Sequence, residues 1–413
     1  MELIKKTIGQ CLREQAETNG ERTAMEMGAW SCTYRQLDEV SDLFAGQMEG
    51  LGISRGIHVG IWSLNSPNWV FTFLALVKVG AVPILINTSL RKEEVKGILN
   101  YSQVEILFYG AGNKDLIYED IVAEIRGDTP SVRRFLHIDE LEAGTWMSER
   151  RFSARDRSPE TLARVRRVKE QVSVEDAACM IFTSGTTSYP KGVLLSHYNL
   201  VNNSRAMVEA MHWTPEDKMC ITVPLFHCFG ITAGIIACIM GGMSMLLIPY
   251  FRTAKVWEAL ENGQCTILNG VPSMFLALIR KEKYASRRAD SLKSGLIAGS
   301  AVTREEFLEI CARFPGMHLQ PAYGQTEASP CIAIADWDDS NERKAGYVGH
   351  ILEHVQLRIG DAPEDEHGEA GSSCADGHHD SGETGEIEVK GYNLMLGYYN
   401  LPAATEQAFT ADG

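Results

Sequence analysis

Cations are scarce in this chain. Its 413 residues hold 39 Lys and Arg against 54 Asp and Glu, a net charge of −15. Nucleic acids and anionic membrane surfaces bind through clustered cations, so this balance disfavours both as partners. It is still compatible with an anionic small ligand, because one pocket can be locally positive. Paired cysteines are also missing. Cys11, Cys32, Cys179, Cys220, Cys228, Cys238, Cys265, Cys311, Cys331 and Cys374 include no Cys-x-x-Cys. Several lie in apolar runs such as Ile236-Ala237-Cys238-Ile239, so they read as buried reduced thiols and not as a disulfide framework. The opening Met1-Glu2-Leu3-Ile4-Lys5-Lys6 has no apolar signal core. A cytoplasmic protein is the expectation. Phe229 to Ile248 is uncharged for about the length of a membrane span, but Gly241-Gly242 divides it into a helix-like half (Ile231 to Met240) and a strand-like half (Met243 to Ile248). That pair is the pattern of a buried α/β layer, and no transmembrane segment is expected.

What is present is an ordinary globular composition, 45% apolar and 23% charged. At roughly 100–200 residues per domain, the length gives two or three compact units. Helical and strand-like patterns alternate through the first third. Amphipathic helices are expected from Tyr34 toward Met48, over Pro67 to Val79 and over Arg91 to Tyr101. Strands are expected at His58 to Trp62, Val82 to Ile86 and Glu105 to Tyr109. Repeated β-α-β implies a mostly parallel sheet covered by helices on both faces. Ser148 to Glu170 reads as a surface connector, with Arg164, Arg166 and Arg167 on a solvated face. Strand-like runs recur at Cys179 to Phe182, Met219 to Pro224, Met243 to Ile248, Cys265 to Leu268 and Gly295 to Ala298. From about Gly346 the texture changes to short alternating strands, Val355 to Ile359 and Glu386 to Lys390, which suggest a small β-barrel-like unit. The acidic, Gly-rich loop between them, Pro363 to Ser381, carries His367, Cys374, His378 and His379 at a spacing that fits no standard zinc pattern. The reading is thus an α/β protein of two mostly parallel sheets plus a β-rich unit, divided as 1–170, 171–345 and 346–413.

The most informative segment is Met180-Ile181-Phe182-Thr183-Ser184-Gly185-Thr186-Thr187-Ser188-Tyr189-Pro190-Lys191-Gly192. A strand leads into a hydroxyl-rich stretch, then a lysine, then a helix-like run from Asn199 to Met211. Hydroxyls and free backbone N–H groups donate to phosphate oxygens, and the lysine adds positive charge. Glycine lets the backbone approach a ligand closely. The order of residues is not that of a Walker A loop, GxxxxGK[ST]. The bland alternative is a Ser/Thr-rich surface turn.

Thr183-Ser184-Gly185-Thr186-Thr187-x-x-Pro190-Lys191-Gly192 resembles the signature loop of the adenylate-forming superfamily, which includes acyl-CoA synthetases and peptide-synthetase adenylation domains. The resemblance implies that Thr183, Ser184, Gly185, Thr186, Thr187 and Lys191 hold the β- and γ-phosphates of ATP. The family usually has Gly where Ser188 stands; at φ > 0 a serine costs roughly 1–2 kcal/mol. Tyr323-Gly324-Gln325-Thr326-Glu327 resembles the second signature. It implies an aromatic packed on adenine, a threonine on phosphate and Glu327 as ligand to Mg²⁺. Pro224-Leu225-Phe226-His227 resembles the motif that sets His227 beside the acyl carboxylate, and Ala298-Gly299-Ser300-Ala301 a turn lining the nucleotide and acyl pocket. Gly382 to Ile387 and Gly391 to Tyr399 resemble the family's late β region. Thr405 to Gly413 resembles the run before its Trp-x-x-Thr-Gly-Asp motif, so the ribose-binding Asp, the hinge and the small C-terminal domain with its catalytic Lys are expected to be absent.

The implied activity is ATP-dependent activation of a carboxylic acid to an acyl-adenylate, then thioester formation with CoA. Lys191, Thr183, His227 and Glu327 are the catalytic candidates. Expected partners are the acid, ATP or AMP, Mg²⁺ and CoA, with a homodimer as the assembly to look for. Between Met219 and Tyr250 the only ionisable group besides Tyr and Cys is His227, and Gly230, Ala233 and Gly234 leave room for an apolar chain. This favours a fatty or other apolar acid. An amino or aryl acid, another acceptor, or a non-catalytic nucleotide- or acyl-binding module are the alternatives.

Overall fold

Strands that are apolar at every position need both faces covered, and that requirement shapes the molecule. The structure is a computed structural model that describes residues 1–138, 158–183, 190–360 and 385–413. One sheet runs, in spatial order, through Gly397–Tyr398, Lys191–Ser196, Ala177–Thr183, Val82–Leu85, His58–Trp62, Ile106–Tyr109 and Arg134–His137. Its pairings are parallel from Ala177–Thr183 onward and antiparallel at the first two strands. The second sheet runs His350–Ile351, Cys331–Ile334, His318–Gly324, Ser294–Ile297, Ile267–Leu268, Lys218–Ile221, Ser244–Leu247, Thr23–Met27 and Trp30–Thr33. It is parallel in the middle and antiparallel at both edges. Strand membership crosses residue 170 in both directions. Thr23–Met27 joins the second sheet beside Ser244–Leu247, and Ala177–Thr183 joins the first beside Val82–Leu85.

Side chains alternate between the two faces of each strand. Val59, Ile61, Ile106 and Phe108 point into the central core, while Leu107, Tyr109, Val82 and Ile84 pack under outer helices. Likewise Met219 and Ile221 face inward and Cys220 outward. Helices Tyr34–Gly50, Pro67–Lys78, His197–Ala210 and Ala237–Gly241 lie between the sheets and share that central core. Their starts are written locally: Thr33 and Gln36 cap each other, the Gln36 N–H donating to Thr33 Oγ1 (3.3 Å) and the Thr33 N–H to Gln36 Oε1 (2.9 Å). The apolar run from Phe229 is a buried helix followed by the strand Ser244–Leu247, with Gly242 closing the helix in the left-handed region at φ 65°. Among the described residues no helix is long and apolar enough to cross a membrane.

Two expectations are corrected. Pro159–Glu170 is a helix, not a connector: Ser158 Oγ accepts the Thr161 N–H at 3.1 Å, and Pro159 takes the first turn. Arg166 and Arg167 are exposed on it, while Arg164 pairs with Glu49 at 2.6 Å. The late β region closes no barrel among the described residues. Val355–Gly360 and Glu386–Gly391 form a two-stranded antiparallel sheet, because the neighbouring short strands His350–Ile351 and Gly397–Tyr398 pair with the large sheets instead. The loop carrying His367, Cys374, His378 and His379 lies outside the described residues.

Candidate active site

The site is built where strand ends from both sheets meet. Strand Ala177–Thr183 ends at Thr183, and the returning strand begins at Lys191, paired directly opposite it. Ser184, Gly185, Thr186, Thr187 and Ser188, the rest of the hydroxyl-rich loop, lie outside the described residues. From the second sheet, strand His318–Gly324 delivers Tyr323 and Gly324. A Cβ on Gly324 would sit 1.8 Å from the Pro330 carbonyl oxygen, so only glycine lets this chain pass so close. A single tight turn, Thr326–Ala328, then carries Thr326 and Glu327.

These segments enclose a cavity of about 270 Å³. Thr183, His227, Gly299 and Tyr323 through Glu327 line it, with Met207, Phe229, Ala233 and Leu296 as apolar wall. Ser300 and Ala301 continue the Gly299 turn on the exposed side, away from the lining. Gly230 and Gly234 do not line it either. A Cβ at Gly230 would meet the Pro224 carbonyl oxygen at 2.2 Å, and one at Gly234 would rest on Ile221, so these positions serve packing and only Ala233 faces the cavity. Beyond Gln325 and Glu327 lies a second hollow of about 430 Å³, bordered by Arg358, Met395, Tyr398 and Asp412. Glu327 thus borders both spaces. Arg358 holds Asp412 through two hydrogen bonds of 2.9 and 3.1 Å. With the Thr410 hydroxyl donating as well, the Asp412 carboxyl is held down at about 2.

His227 caps the first turn of the helical run, its Nδ1 accepting the Phe229 N–H at 3.2 Å. Cys228 Sγ lies 3.5 Å from that nitrogen and 3.5 Å from Thr326 Oγ1. The neighbouring Cys228 side chain raises the His227 pKa above its ordinary value, through its electrostatics and its hydrogen bond, and burial opposes this only in part. The Tyr398 hydroxyl donates to Glu327 Oε1 at 2.9 Å, and Lys191 Nζ stands 4.7 Å over the Tyr398 ring. Burial first, and then the bond to Glu327, push the Tyr398 phenol well above its usual range. No local sequence pattern marks Cys228 or Tyr398 for a role. Tyr398 was visible only as part of the run Gly391 to Tyr399; its partners lie far away along the chain. The half-buried carboxylate of Glu327, with one oxygen taken by Tyr398, suits Mg²⁺, which is usually held by one or two carboxylates together with substrate phosphates.

A layered α/β body that gathers a hydroxyl, an imidazole, an aromatic ring and a carboxylate around one opening is built to position a small polar ligand. The chain belongs to the AMP-binding enzyme family, whose model matches residues 12–399. It is 31% identical to the Bacillus subtilis (strain 168) protein YngI over 100% of this chain and 76% of that protein. It is 30% identical to the human mitochondrial medium-chain acyl-CoA ligase ACSF2 over 99% of this chain and 68% of that one. Among solved structures it resembles the N-terminal domain of FACL13 from Mycobacterium tuberculosis, with a TM-score of 0.81 and 23% identity, covering 98% of this chain and 94% of that domain.

Proposed function

We propose that this protein activates an apolar carboxylic acid with ATP and passes the acyl group to CoA. In the first step a carboxylate oxygen bonds to the α-phosphorus of ATP and the bond to the β-phosphate oxygen breaks, giving acyl-adenylate and pyrophosphate. In the second, the CoA sulfur bonds to the acyl carbon and AMP leaves. The observation that carries the reading is the convergence of Thr183, His227 and Tyr323 through Glu327 on one cavity, from three separate chain segments.

The first step needs orientation and neutralisation of negative charge more than covalent help. Thr183 and Lys191, facing each other at the root of the hydroxyl-rich loop, supply a donor and a cation for the outer phosphates. Tyr323 offers an aromatic face to the base, and Thr326 a donor to the phosphate. His227 stands at the acid end and can donate from Nε2, since Nδ1 accepts a backbone N–H. Glu327 would hold Mg²⁺, which neutralises phosphate charge when bound. Among the described residues Glu327 is the only carboxylate lining the cavity. An amino-acid substrate would need a buried carboxylate of its own for its ammonium, and Glu327 is the one this reading gives to Mg²⁺. This, with the walls formed by Met207, Phe229, Ala233 and Leu296, favours an apolar acyl chain, and the name of the human relative points to medium length.

The nine described cysteines are all buried and free, in keeping with a reducing compartment such as the cytoplasm. ATP–pyrophosphate exchange against a panel of fatty, aryl and amino acids tests the reading. Exchange with medium-chain fatty acids is expected, and a best rate with a free amino acid would overturn it.

A further inference from the structure

Two side chains expected at the phosphate end of the nucleotide, Lys191 and Glu327, come from different sheets, and both touch Tyr398. The Lys191 ammonium stands 4.7 Å from the ring centroid, and the hydroxyl donates to Glu327 Oε1 at 2.9 Å. Tyr398 is itself well anchored. It lies on a short strand opposite Val193, and its N–H donates to Thr405 Oγ1 at 2.9 Å. On either side, the Leu396 N–H donates to Leu194 O and the Tyr399 N–H to Gly192 O, both at 2.8 Å. The Met395 N–H donates to the backbone carbonyl of Glu327, also at 2.8 Å. The segment therefore fixes the Glu327 backbone and side chain together.

We propose that Tyr398 is a positioning residue that sets the Lys191 ammonium and the Glu327 carboxylate at a fixed separation before MgATP arrives. This rests on the acid-activating reading above. Lysine and glutamate are among the side chains with most rotamer freedom to lose. Ordering them in advance leaves less to order when nucleotide binds. A cation over an aromatic face is held without using its hydrogen-bond donors, which stay available for phosphate. The hydroxyl engages one carboxylate oxygen and leaves the other for a hard cation, the part played by hydrogen-bonding neighbours at metal sites generally.

Calorimetric titration of the protein with ATP, in EDTA and over a series of MgCl2 concentrations, separates the two halves. Tyr398→Phe keeps the ring and removes the hydroxyl. It should leave ATP affinity in EDTA within about twofold and raise the MgCl2 midpoint about tenfold, the low end of the 10- to 100-fold cost of losing such a neighbour. Tyr398→Leu should weaken ATP in EDTA as well, because Lys191 loses its platform. In a Glu327→Gln background, Tyr398→Phe should add nothing to the MgCl2 dependence. An unchanged midpoint in Tyr398→Phe, or the same loss with Glu327→Gln present, overturns the proposal while the wild-type titration still stands for the wider reading. If the wild-type protein binds no ATP at any MgCl2 concentration, the acid-activating reading fails and this one with it. Melting curves confirm folding, and the Phe variant carries the test by itself if the Leu variant does not fold.

Discussion

Lys78 has no exposed side-chain surface, and its ammonium is surrounded by oxygen: Asp38 Oδ1, Ser41 Oγ and Asp42 Oδ1 at 2.7 Å, and the Asp38 carbonyl at 3.0 Å. Burial pushes the Asp42 carboxyl up, but the ammoniums of Lys78 and Lys169 outweigh it, so Asp42 titrates below its ordinary value. Removing one member of a buried pair costs about 3–5 kcal/mol, here an upper bound because Asp38 keeps Arg13 and Asp42 keeps Arg13 and Lys169. Lys78→Met should lower unfolding stability by that order in urea, whereas Arg288→Ala, which breaks an exposed pair with Asp290, should leave it unchanged. Equal effects would show that burial is not what makes the Lys78 cluster matter. At the site, Glu327→Gln removes an anionic oxygen from a position suited to a hard cation. ATP binding in EDTA should survive and its strengthening by MgCl2 should largely disappear; a normal MgCl2 response would take Glu327 out of the metal role. The sequence proposes Thr183 and Lys191 together because they sit in one short hydroxyl-rich run; the structure sets them opposite each other on paired strands, the strand Lys191–Ser196 standing between the run and the helix that the pattern anticipates. The part played by Tyr398 was not, because a ring stacked under Lys191 and a hydroxyl on Glu327 are long-range contacts that no local pattern encodes.

At the scale of elements, Asn65 fastens the sheets together close to the His227 segment of the cavity wall. It follows strand His58–Trp62 of the first sheet, and its amide donates to the carbonyls of Val223 (3.0 Å) and Ile248 (3.1 Å), just past two strands of the second. Its Oδ1 accepts the Leu225 N–H at 2.9 Å, two residues before His227. Asn65→Ala leaves three buried backbone groups unpaired, each at about 1–3 kcal/mol. A loss of at least about 2 kcal/mol is expected by chemical denaturation, together with a raised KM for the acid, because the His227 segment loses its support. A loss below about 0.5 kcal/mol, the range of neutral surface changes, would contradict this. Strands and central helices were readable because strands buried on both faces appear as continuous apolar runs and helices as apolar periodicity. Helix Pro159–Glu170 was missed for a physical reason. It buries one side chain, Val165, and carries charge elsewhere, so its apolar periodicity is too weak to see. The Ser158-Pro159-Glu160 start was the signal available. Among the described residues the late strands close no barrel, because alternation marks a strand and not its partner: short strands on either side of the late hairpin add to the edges of the large sheets.

At the scale of the whole molecule, one buried imidazole couples folding to pH. His197 is fully buried, its Nδ1 accepts the Ile8 N–H at 3.2 Å, and burial lowers its pKa from 6.5 to about 4, with Asp176 opposing. The unfolded chain therefore takes up this proton below pH 6.5, while the native protein resists until about pH 4. The stabilisation is complete above pH 6.5 and is lost as pH falls toward 4, in total about 3 kcal/mol at 1.36 kcal/mol per unit. The melting temperature should fall across that window and fall less in His197→Gln; an identical slope in both proteins would rule His197 out as the cause. The two-sheet architecture in turn brings Thr183 from one sheet and Tyr323 through Glu327 from the other to a single cavity, and the functional account stands on that meeting. The most direct measurement is calorimetric titration with a non-reactive sulfamate mimic of a medium-chain acyl-adenylate, which fills the nucleotide and acyl positions at once. The account predicts one site per chain, binding tighter than either ATP or the free acid alone, and weakening by Lys191→Ala and by His227→Ala. No binding, or tighter binding of an aminoacyl mimic than of the fatty-acyl one, would contradict it.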